Sequence, residues 1–441
     1  MKKRNPVLAA TLITLTLAAG QSTALAAMSL SFQRTWGGLN NEQAEGVAVS
    51  PDGSVYVAGG TDSFGTGAGA GDRDAFLLKY TPGGSIAWQK TYGVGRTDPL
   101  IAADDVATDV AVGADGAVYV TGFTTTGHAF LLRFDPAGNL LWQRAWGGDG
   151  FELPDAVAVA GDGSVYITGF TNSFGAGDQD AFLVKYTPDG SVVWERTWGG
   201  AGLDAAHDVA VAGDGSVYIA GDTNSFFAND AFLLKYDSEG AIVWEKAWRE
   251  GTIEDISGAL GVATAPDGSV YVTGLASINL VGQNIFLLKF TADGGLVWEK
   301  TWGARQEAAL GVAVAADGNI YVTGNTNLGE GGGDAFVLKF LPNGRVRDAS
   351  TWGGVDNESG QSVAAGADGS VYVAGVASAP PYVFDRAHAR TRTPDAFLGT
   401  PVGTVGFPVA ALPDPSGVVT APVGSETFAG ATDAFLLKVL P

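Results

Sequence analysis

The chain has 441 residues, and its 65 glycines are accompanied by 46% hydrophobic residues, which indicates a folded, turn-rich protein and excludes a disordered one. It contains no cysteine, so disulfides, lipid-modified cysteine anchors and thiolate metal sites are excluded. Asp and Glu number 47 against 25 Lys and Arg, and the net charge of −22 predicts a surface that repels nucleic acid and anionic lipid.

An N-terminal segment, residues 1–26, has the features of a cleavable secretory signal. Three basic residues at 2–4 precede an apolar stretch at 7–20, and Ala-Leu-Ala at 24–26 fits the small-residue pattern before a cleavage site. The apolar stretch is too short to span a bilayer comfortably. We therefore expect a protein secreted to the cell envelope or beyond, with no membrane insertion after cleavage. It would then carry 22 basic and 47 acidic residues, a net charge of −25.

Beyond the signal, an aromatic–x–basic–x–aromatic motif recurs along the chain, as in WERTW at 194–198. All 11 tryptophans lie in copies of this motif or in its degenerate forms. The aromatic residues that end the copies are 50 to 56 residues apart, at Trp36, Tyr92, Trp146, Trp198, Trp248, Trp302 and Trp352. A period of this size predicts a solenoid or a propeller.

Each unit contains four short runs rich in Val, Ile, Tyr, Phe and Trp, as unit three shows at 155–160, 164–169, 180–186 and 191–198. An Asp-Gly pair separates the first two runs of every unit, and its tolerance of left-handed backbone predicts a hairpin turn. Short turns that end in Gly separate the third run from the fourth. Four antiparallel strands in a repeated meander predict the blades of a propeller.

The unit count predicts an all-β fold, a seven-bladed β-propeller of four-stranded antiparallel blades. The seventh unit lacks a fourth strand, so we expect the N-terminal strand at 31–36 to complete the last blade by pairing with 433–439. The propeller is assigned to 31–441, with blades at 44–92, 106–146, 155–198, 206–248, 259–302, 308–352 and 360–441. An irregular insertion at 378–432, which holds 8 of the 18 prolines, interrupts the last blade.

The repeat follows the pattern WGG-x3-(D/E)-x-A-x2-VAV-x2-DGSVYV-x-G-x-T-x-SFG…DAFLLKY. Unit three carries it at 146–148, 152, 157–159, 162–169, 171–175 and 180–186. This pattern resembles the bacterial β-propeller repeat family called SBBP, from about residue 31 to 439 without the insertion. The resemblance implies an exported or cell-envelope propeller and no defined activity. His128 and Asn284 depart from the pattern at the Asp that opens the third strand, and Asp348 departs at the Trp of the fourth.

An acidic residue stands five positions before the VAV sequence in six units, and Ser257 holds the place in the other. The six carboxylates are Glu42, Asp105, Glu152, Asp204, Glu307 and Glu358. In a propeller they form a ring on one face, which could bind a cation such as calcium. Alternatively, each accepts backbone N–H bonds and ties adjacent blades together. Repetition around the ring favours the second interpretation, because a binding site usually breaks symmetry. No other metal or cofactor is expected.

The only clustered basic stretch lies in the insertion, with Asp385, Arg386, His388, Arg390 and Arg392. Several arginines near one histidine could bind a carboxylated sugar, so this stretch is a candidate ligand site. A solvated charged loop is the favoured alternative, because long Pro-rich loops are often merely solvated. The other histidines, His128 and His207, belong to different units, which argues against a shared metal site.

The WERTW motif places two aromatic residues and one basic residue on the same face of a strand, because side chains alternate. The cation can then lie against both rings. Exposed rings of this kind could form a platform for carbohydrate. Near-identical copies on the fourth strand of six units instead predict a structural clasp at the blade edge.

The sequence favours a non-catalytic binding or scaffold propeller outside the cell, expected as a monomer, with an unknown protein or polysaccharide as its partner. It has no G-x-S-x-G, Walker or H-E-x-x-H motif, and no residue is assigned as catalytic. The alternatives are an extracellular polymer-degrading hydrolase or lyase with its site in the funnel, and a carbohydrate-binding, lectin-like propeller. An enzyme should show one or two loops with unique, convergent polar groups.

Overall fold

The computed structural model describes residues 28–65, 73–93, 104–225, 230–248, 257–278, 282–302, 307–327, 332–354, 356–378 and 432–440. Within these ranges the chain forms 28 strands in seven four-stranded antiparallel sheets, and the first strands of successive sheets contact one another around a ring. This confirms the predicted seven-bladed β-propeller. No helix among the described residues has the length and hydropathy needed to cross a membrane. Residues 379–431, nearly all of the predicted insertion, lie outside the described ranges.

The strands of each blade are given in order from the axis outward. Blade 1 contains β2 (Glu42–Val49), β3 (Val55–Thr61), β4 (Asp74–Tyr80) and β5 (Ile86–Tyr92). Blade 2 contains β6 (Asp105–Val112), β7 (Val118–Thr124), β8 (Ala129–Phe134) and β9 (Leu140–Trp146). Blade 3 contains β10 (Glu152–Val159), β11 (Val165–Thr171), β12 (Asp180–Tyr186) and β13 (Val192–Trp198). Blade 4 contains β14 (Asp204–Val211), β15 (Val217–Thr223), β16 (Asp230–Tyr236) and β17 (Ile242–Trp248).

The remaining three blades have the same order. Blade 5 contains β18 (Ser257–Thr264), β19 (Val270–Ile278), β20 (Gly282–Phe290) and β21 (Leu296–Trp302). Blade 6 contains β22 (Ala308–Val314), β23 (Ile320–Thr326), β24 (Asp334–Phe340) and β25 (Val346–Trp352). Blade 7 contains β26 (Glu358–Ala365), β27 (Val371–Ser378), β28 (Thr432–Leu440) and β1 (Ser29–Trp36).

The Asp-Gly pairs form the turns between the first and second strands. Gly163 has a φ of 85°, in the left-handed region that glycine adopts without strain. Asp162 Oδ1 accepts a hydrogen bond from Ser164 N at 2.8 Å, and Asp52 and Asp214 accept the same bond at 2.9 Å. The aspartate and the glycine together fix each turn, and the turn sets the register of the two strands.

The first strand of every blade contains a β-bulge, where one residue has no partner on the second strand. In blade 3 the pairing passes from Pro154 to Ala156 and leaves out Asp155. A bulge twists the strand and re-aims the side chain of the extra residue. The bulge residues are Glu45, Thr108, Asp155, His207, Leu260, Leu310 and Gln361. They lie beside the axis, because the first strands surround it.

The N-terminal strand closes the ring, as predicted. β1 pairs antiparallel with β28, from Ser29 opposite Leu440 to Trp36 opposite Ala434. Phe32 and Trp36 are buried in the hydrophobic cluster that joins blade 7 to blade 1. Strands from both ends of the described chain therefore complete one blade.

The core lies between adjacent blades and contains one buried tyrosine from each second strand. These tyrosines are Tyr56, Tyr119, Tyr166, Tyr218, Tyr271, Tyr321 and Tyr372. A basic residue of the third strand lies over each ring, with its charge 5.2 to 5.6 Å from the ring centroid. The apolar stem of the basic residue covers the ring, and the charge remains at the edge of the core.

The WERTW motif connects neighbouring blades, and we refer to its bonds with the next blade as the outer clasp. Trp194 Nε1 donates a hydrogen bond to Ser238 O at 3.2 Å, and Arg196 Nε donates to a second carbonyl of that turn at 2.8 Å. Trp198 Nε1 donates to Glu245 Oε2 at 3.2 Å. Arg196 lies over the first ring of the motif, 5.2 Å from the Trp194 centroid. The predicted clasp is present, and it joins two blades instead of strengthening one edge.

Candidate functional site

The six carboxylates of the predicted cation ring are buried, with at most 2% of each residue exposed. Glu152 accepts hydrogen bonds from Gly148 N at 3.2 Å and from Thr171 Oγ1 at 3.1 Å. Glu42 accepts the equivalent bonds at 2.7 and 3.0 Å. These contacts favour the interpretation in which the carboxylates bind loop backbone. Calcium binding stays a prediction, and no group of three or more His, Cys, Asp or Glu among the described residues is placed to hold a metal ion.

A second carboxylate, from the start of the third strand, reaches the same loop. At the closure of the ring, a methyl group on Gly37 would overlap Asp433 Oδ1 and would lie 2.7 Å from Glu42 Oε2. The same convergence of two carboxylates occurs at Gly199 and Gly353. Burial, together with the charge of Glu42, raises the pKa of Asp433 to about 7, and burial also raises the pKa of Glu42. Glycine is required because a side chain would fill the space of the carboxylates.

Polar side chains that break the sevenfold repeat lie beside the axis. The bulge residues of blades 1, 3 and 4 are Glu45, Asp155 and His207, whereas those of blades 5 and 6 are leucines. Asp222 on β15 and Arg73 before β4 interact with these residues. We refer to the five as the axis cluster.

His207 forms the centre of the axis cluster. Its Nδ1 lies 2.9 Å from Asp155 Oδ2 in blade 3, and its Nε2 is hydrogen-bonded to Asp222 Oδ1 in its own blade. Burial lowers the pKa of His207, but the hydrogen bonds and charges of the two aspartates outweigh it and raise the pKa to about 10. The imidazole is therefore protonated near neutral pH and donates from both nitrogens. The side chain is still 26% exposed, so it is accessible to solvent.

Blade 1 contributes Glu45 and Arg73 to the cluster. Burial raises the pKa of Glu45, while the charge of Arg73 opposes this and the charge of Asp155 adds to it. The carboxylates of Glu45 in blade 1 and Asp155 in blade 3 therefore repel each other across the axis cluster. Arg73 Nη2 donates to Gln43 Oε1, and Arg73 Nε lies 3.6 Å from Asp62 Oδ1. The axis cluster thus combines fixed hydrogen-bond donors with carboxylate acceptors.

Two other carboxylates beside the bulges, both half-buried, bond to the backbone of the next blade. Asp109 Oδ2 accepts a hydrogen bond from Val157 N at 2.9 Å, and Asp208 Oδ2 accepts one from Val262 N at 2.7 Å. Burial raises the pKa of Asp109 to about 8 and that of Asp208 to about 7, although these backbone bonds oppose the shift. Both residues tie inner strands of adjacent blades together.

Three phenylalanines of blades 2 and 3 lie on the same side of the ring as Asp222. Phe151 is 6.1 Å from Phe123 and 6.3 Å from Phe170, measured between ring centroids. Phe123 and Phe170 hold the second-strand position that Asp222 holds in blade 4, one residue before the final threonine. All three rings are half-buried. This side of the propeller therefore offers aromatic surface as well as polar groups.

The sequence singles out His207 only for a metal site shared with His128, which it argues against, and the partners of His207 are missed. Glu45, Asp155 and His207 each stand two residues before the Val that recurs in every repeat, at a position that varies from Glu to Leu among the units. That variation within a regular repeat is the sequence feature that could have indicated these site residues. His128 approaches Glu152 at Gly147 and is not part of the cluster. The charged residues predicted as a ligand site in the insertion, Asp385, Arg386, His388, Arg390 and Arg392, lie outside the described residues.

A family model described as a β-propeller domain of unknown function, DUF5122, matches residues 160–192 and 315–346. With the seven blades, this match shows that the chain is a β-propeller repeat protein. No curated protein matches the chain.

Solved structures that resemble this chain include three bacterial proteins. BamB from Moraxella catarrhalis is 14% identical with a TM-score of 0.43, over 78% of this chain and 96% of that one. A gluconolactonase from Xanthomonas campestris is 15% identical with a TM-score of 0.38, over 68% and 89%. A protein of unknown function from Bacteroides caccae is 13% identical with a TM-score of 0.37, over 59% and 82%. Similarity at this level carries no argument about the activity of this chain.

Proposed function

We propose that the protein is a secreted, monomeric and non-catalytic binding propeller of the SBBP type, which holds a polysaccharide at the mouth of its central channel. The contrast between repeated and unique polar groups carries this proposal. The repeated groups, in the outer clasp and in the loop carboxylates, bond to the protein itself. The unique groups gather in the axis cluster, where His207 and its two aspartates are 22 to 39% exposed.

The chemistry of the axis cluster suits a neutral ligand rich in hydroxyl groups. Glu45, Asp155 and Asp222 offer carboxylate oxygens, and Arg73 carries N–H donors, whereas both nitrogens of His207 are bonded to the two aspartates. Sugar hydroxyls both donate and accept hydrogen bonds, and the apolar face of a sugar ring packs on aromatic side chains such as the three phenylalanines. The presence of donors as well as acceptors favours a polysaccharide over a basic peptide, which needs acceptors alone.

Convergent polar groups also occur in hydrolases and lyases, but the charge of His207 argues against this alternative. A general base works best when its pKa lies near the operating pH. With a pKa raised to about 10, His207 is already protonated at neutral pH and cannot remove a proton from a substrate. The central histidine therefore supports binding better than general-base catalysis.

Binding of envelope and extracellular polysaccharides to the full exported protein, measured by calorimetry, tests this function. Glu45→Gln and Asp222→Asn remove one charge each from the axis cluster, and Asp293→Asn in an exposed turn is the matched control. We expect each site variant to lower the affinity about tenfold, because each loses a charge-assisted hydrogen bond, and we expect the control to bind normally.

The other outcomes separate the alternatives. Absence of polysaccharide binding, or unchanged affinity in both site variants, would refute the proposal. A basic peptide that binds the protein and loses affinity in Glu45→Gln and Asp222→Asn would indicate a protein partner instead of a polysaccharide. Turnover of any polymer would support the enzyme alternative, and loss of turnover on changing Asp385 or His388 would assign the activity to the insertion.

A further inference from the structure

Asp348 occupies a position on the fourth strand where the first five blades have tryptophan. Those residues are Trp88, Trp142, Trp194, Trp244 and Trp298. Trp298, for example, packs on the buried Tyr271 with 5.9 Å between ring centroids. Its Nε1 donates to Pro342 O, in the turn that joins the third and fourth strands of the next blade, at 3.4 Å. The other four tryptophans make the same bond at 3.2 to 3.3 Å.

No such turn exists in the blade that follows Asp348. The third strand of blade 7 is β28 and its fourth strand is β1, which come from opposite ends of the described chain. Ser29 and Leu440 face each other where the other blades have a connecting turn. A tryptophan at position 348 would therefore lack the carbonyl oxygen that accepts its N–H in every equivalent blade.

Met28 takes the place of both the indole and the turn. It is 1% exposed and packs in a cluster with Tyr321, Ala335 and Val337 of blade 6. Its backbone nitrogen donates a hydrogen bond to Asp348 Oδ2. The direction of hydrogen bonding is thus reversed at this junction. Elsewhere the fourth strand donates to a carbonyl, and here it accepts from a nitrogen at the start of the described chain.

A carboxylate is the expected partner for an ammonium group, because a hydrogen bond between opposite charges is roughly twice as strong as a neutral one. We propose that the leader is removed within one residue of Met28 and that Asp348 binds the α-ammonium group produced by that cleavage. Hydrolysis by the leader peptidase of the exporting cell consumes one water, leaves a carboxylate on the leader, and leaves an amine on the mature chain that takes up a proton.

Two cleavage positions place the ammonium group on Met28 or on the residue before it. Cleavage after Ala27 makes the Met28 nitrogen itself the ammonium group. Cleavage after Ala26, which the Ala-Leu-Ala sequence favours, adds one residue, a step of about 3.8 Å between Cα atoms. The inference rests on the export that the proposed function includes and is independent of the ligand, so the binding of polysaccharide and the pairing of Asp348 can fail separately.

The first measurement is the intact mass of the full-length gene product after export by a bacterial host. We expect a chain that begins at Ala27 or Met28. A chain that keeps its leader, or that begins at any residue other than Ala27 or Met28, would overturn the proposal.

The second measurement is the melting temperature of this exported protein as a function of pH. The paired ammonium group has a pKa above its ordinary value of about 8, so its stabilisation is complete below pH 8 and is lost as the pH rises further. Asp348→Asn should abolish this step and lower the melting temperature at pH 7. Asp317→Asn, in an exposed turn of the same blade, is the matched control and should keep the step.

The uncleaved precursor, produced in the cytosol, provides a second control. It has no ammonium group near Asp348, so we expect the precursor to lack the part of the alkaline loss that Asp348→Asn removes, while the loss due to His207 remains. A pH profile that is the same in the exported protein and in its Asp348→Asn variant would overturn the assignment to Asp348.

Discussion

Trp352 donates its indole N–H to Gln33 Oε1, 3.0 Å away in space and 319 residues earlier in the chain. Trp36 donates to Gln89 at 3.1 Å and Trp146 to Glu195 at 2.9 Å in the equivalent places. The N-terminal strand thus accepts the same indole N–H bond of the outer clasp as the internal fourth strands do. The closing junction of the ring has the same chemistry as the others, although its partners come from opposite ends of the chain.

Removal of β1 should therefore cost far more stability than removal of the insertion. Deletion of 29–36 exposes β28 and removes the partner of Trp352. Replacement of 379–431 by a short flexible linker leaves the pairing of β27 with β28 in place. By calorimetry we expect the first change to lower the melting temperature by on the order of 10 °C or to abolish folding, and the second to shift it by a few degrees at most. Equal melting temperatures would contradict the closure.

Loss of a loop carboxylate should destabilise the fold whether or not calcium is present. Glu152→Ala leaves the Gly148 N–H and the Thr171 hydroxyl without their buried acceptor, which should cost about 2–4 kcal/mol in the free energy of unfolding. Glu239→Ala, in an exposed turn, is the control and should cost little. Urea unfolding with and without EDTA measures both changes. A large loss of wild-type stability in EDTA would favour the cation ring instead.

Asp433 should make the ring less stable as the pH rises from 4 to 7. Its pKa of about 7 in the folded protein exceeds the value of about 3.9 in an unfolded chain, so its favourable contribution exists below pH 4 and is lost as the pH rises through 7. Asp433→Asn removes the charge that Glu42 repels. The variant should therefore gain stability relative to wild type between pH 5 and pH 8, as measured by melting temperature. The same difference at both pH values would argue against this effect.

His207 should remain protonated across the neutral range. Its pKa of about 10 exceeds the ordinary value of 6.5, so the stability it contributes is complete below pH 6.5 and is lost as the pH rises through 10. NMR of the imidazole should show no titration between pH 6 and 8. In Asp222→Asn the pKa should fall, because one of the two carboxylates that raise it is gone. Titration of wild-type His207 near pH 6.5 would show that the two aspartates do not hold its proton.

The sequence predicts the blades and the ring closure well, because both depend on local signals. Asp162 and Gly163 specify a turn that four residues determine, and the alternation around Val165 specifies a strand. The axis cluster was not predictable in the same way. Glu45, Asp155 and His207 come from three blades and meet only because bulges turn them toward a common axis.

The acceptors of the outer clasp were also not predictable from the sequence. The sequence shows that Trp194 and Arg196 share a face, and the predicted clasp follows from this alternation. Their acceptors, however, lie 44 residues away in the turn of the next blade. That turn is adjacent only because successive blades pack face to face around the ring. Every residue has a backbone carbonyl group, so the sequence does not show which one accepts the hydrogen bond.

The outer clasp stabilises the fold, whereas the axis cluster binds the polysaccharide. Affinity and melting temperature measured on the same variants test this division most directly. Glu45→Gln represents the axis cluster, and Arg196→Met represents the outer clasp while it keeps the apolar stem of the side chain. We predict that Glu45→Gln weakens polysaccharide binding about tenfold at an unchanged melting temperature, whereas Arg196→Met lowers the melting temperature at unchanged affinity. Loss of binding in Arg196→Met, with normal binding in Glu45→Gln, would contradict the division and would make the outer face the binding surface.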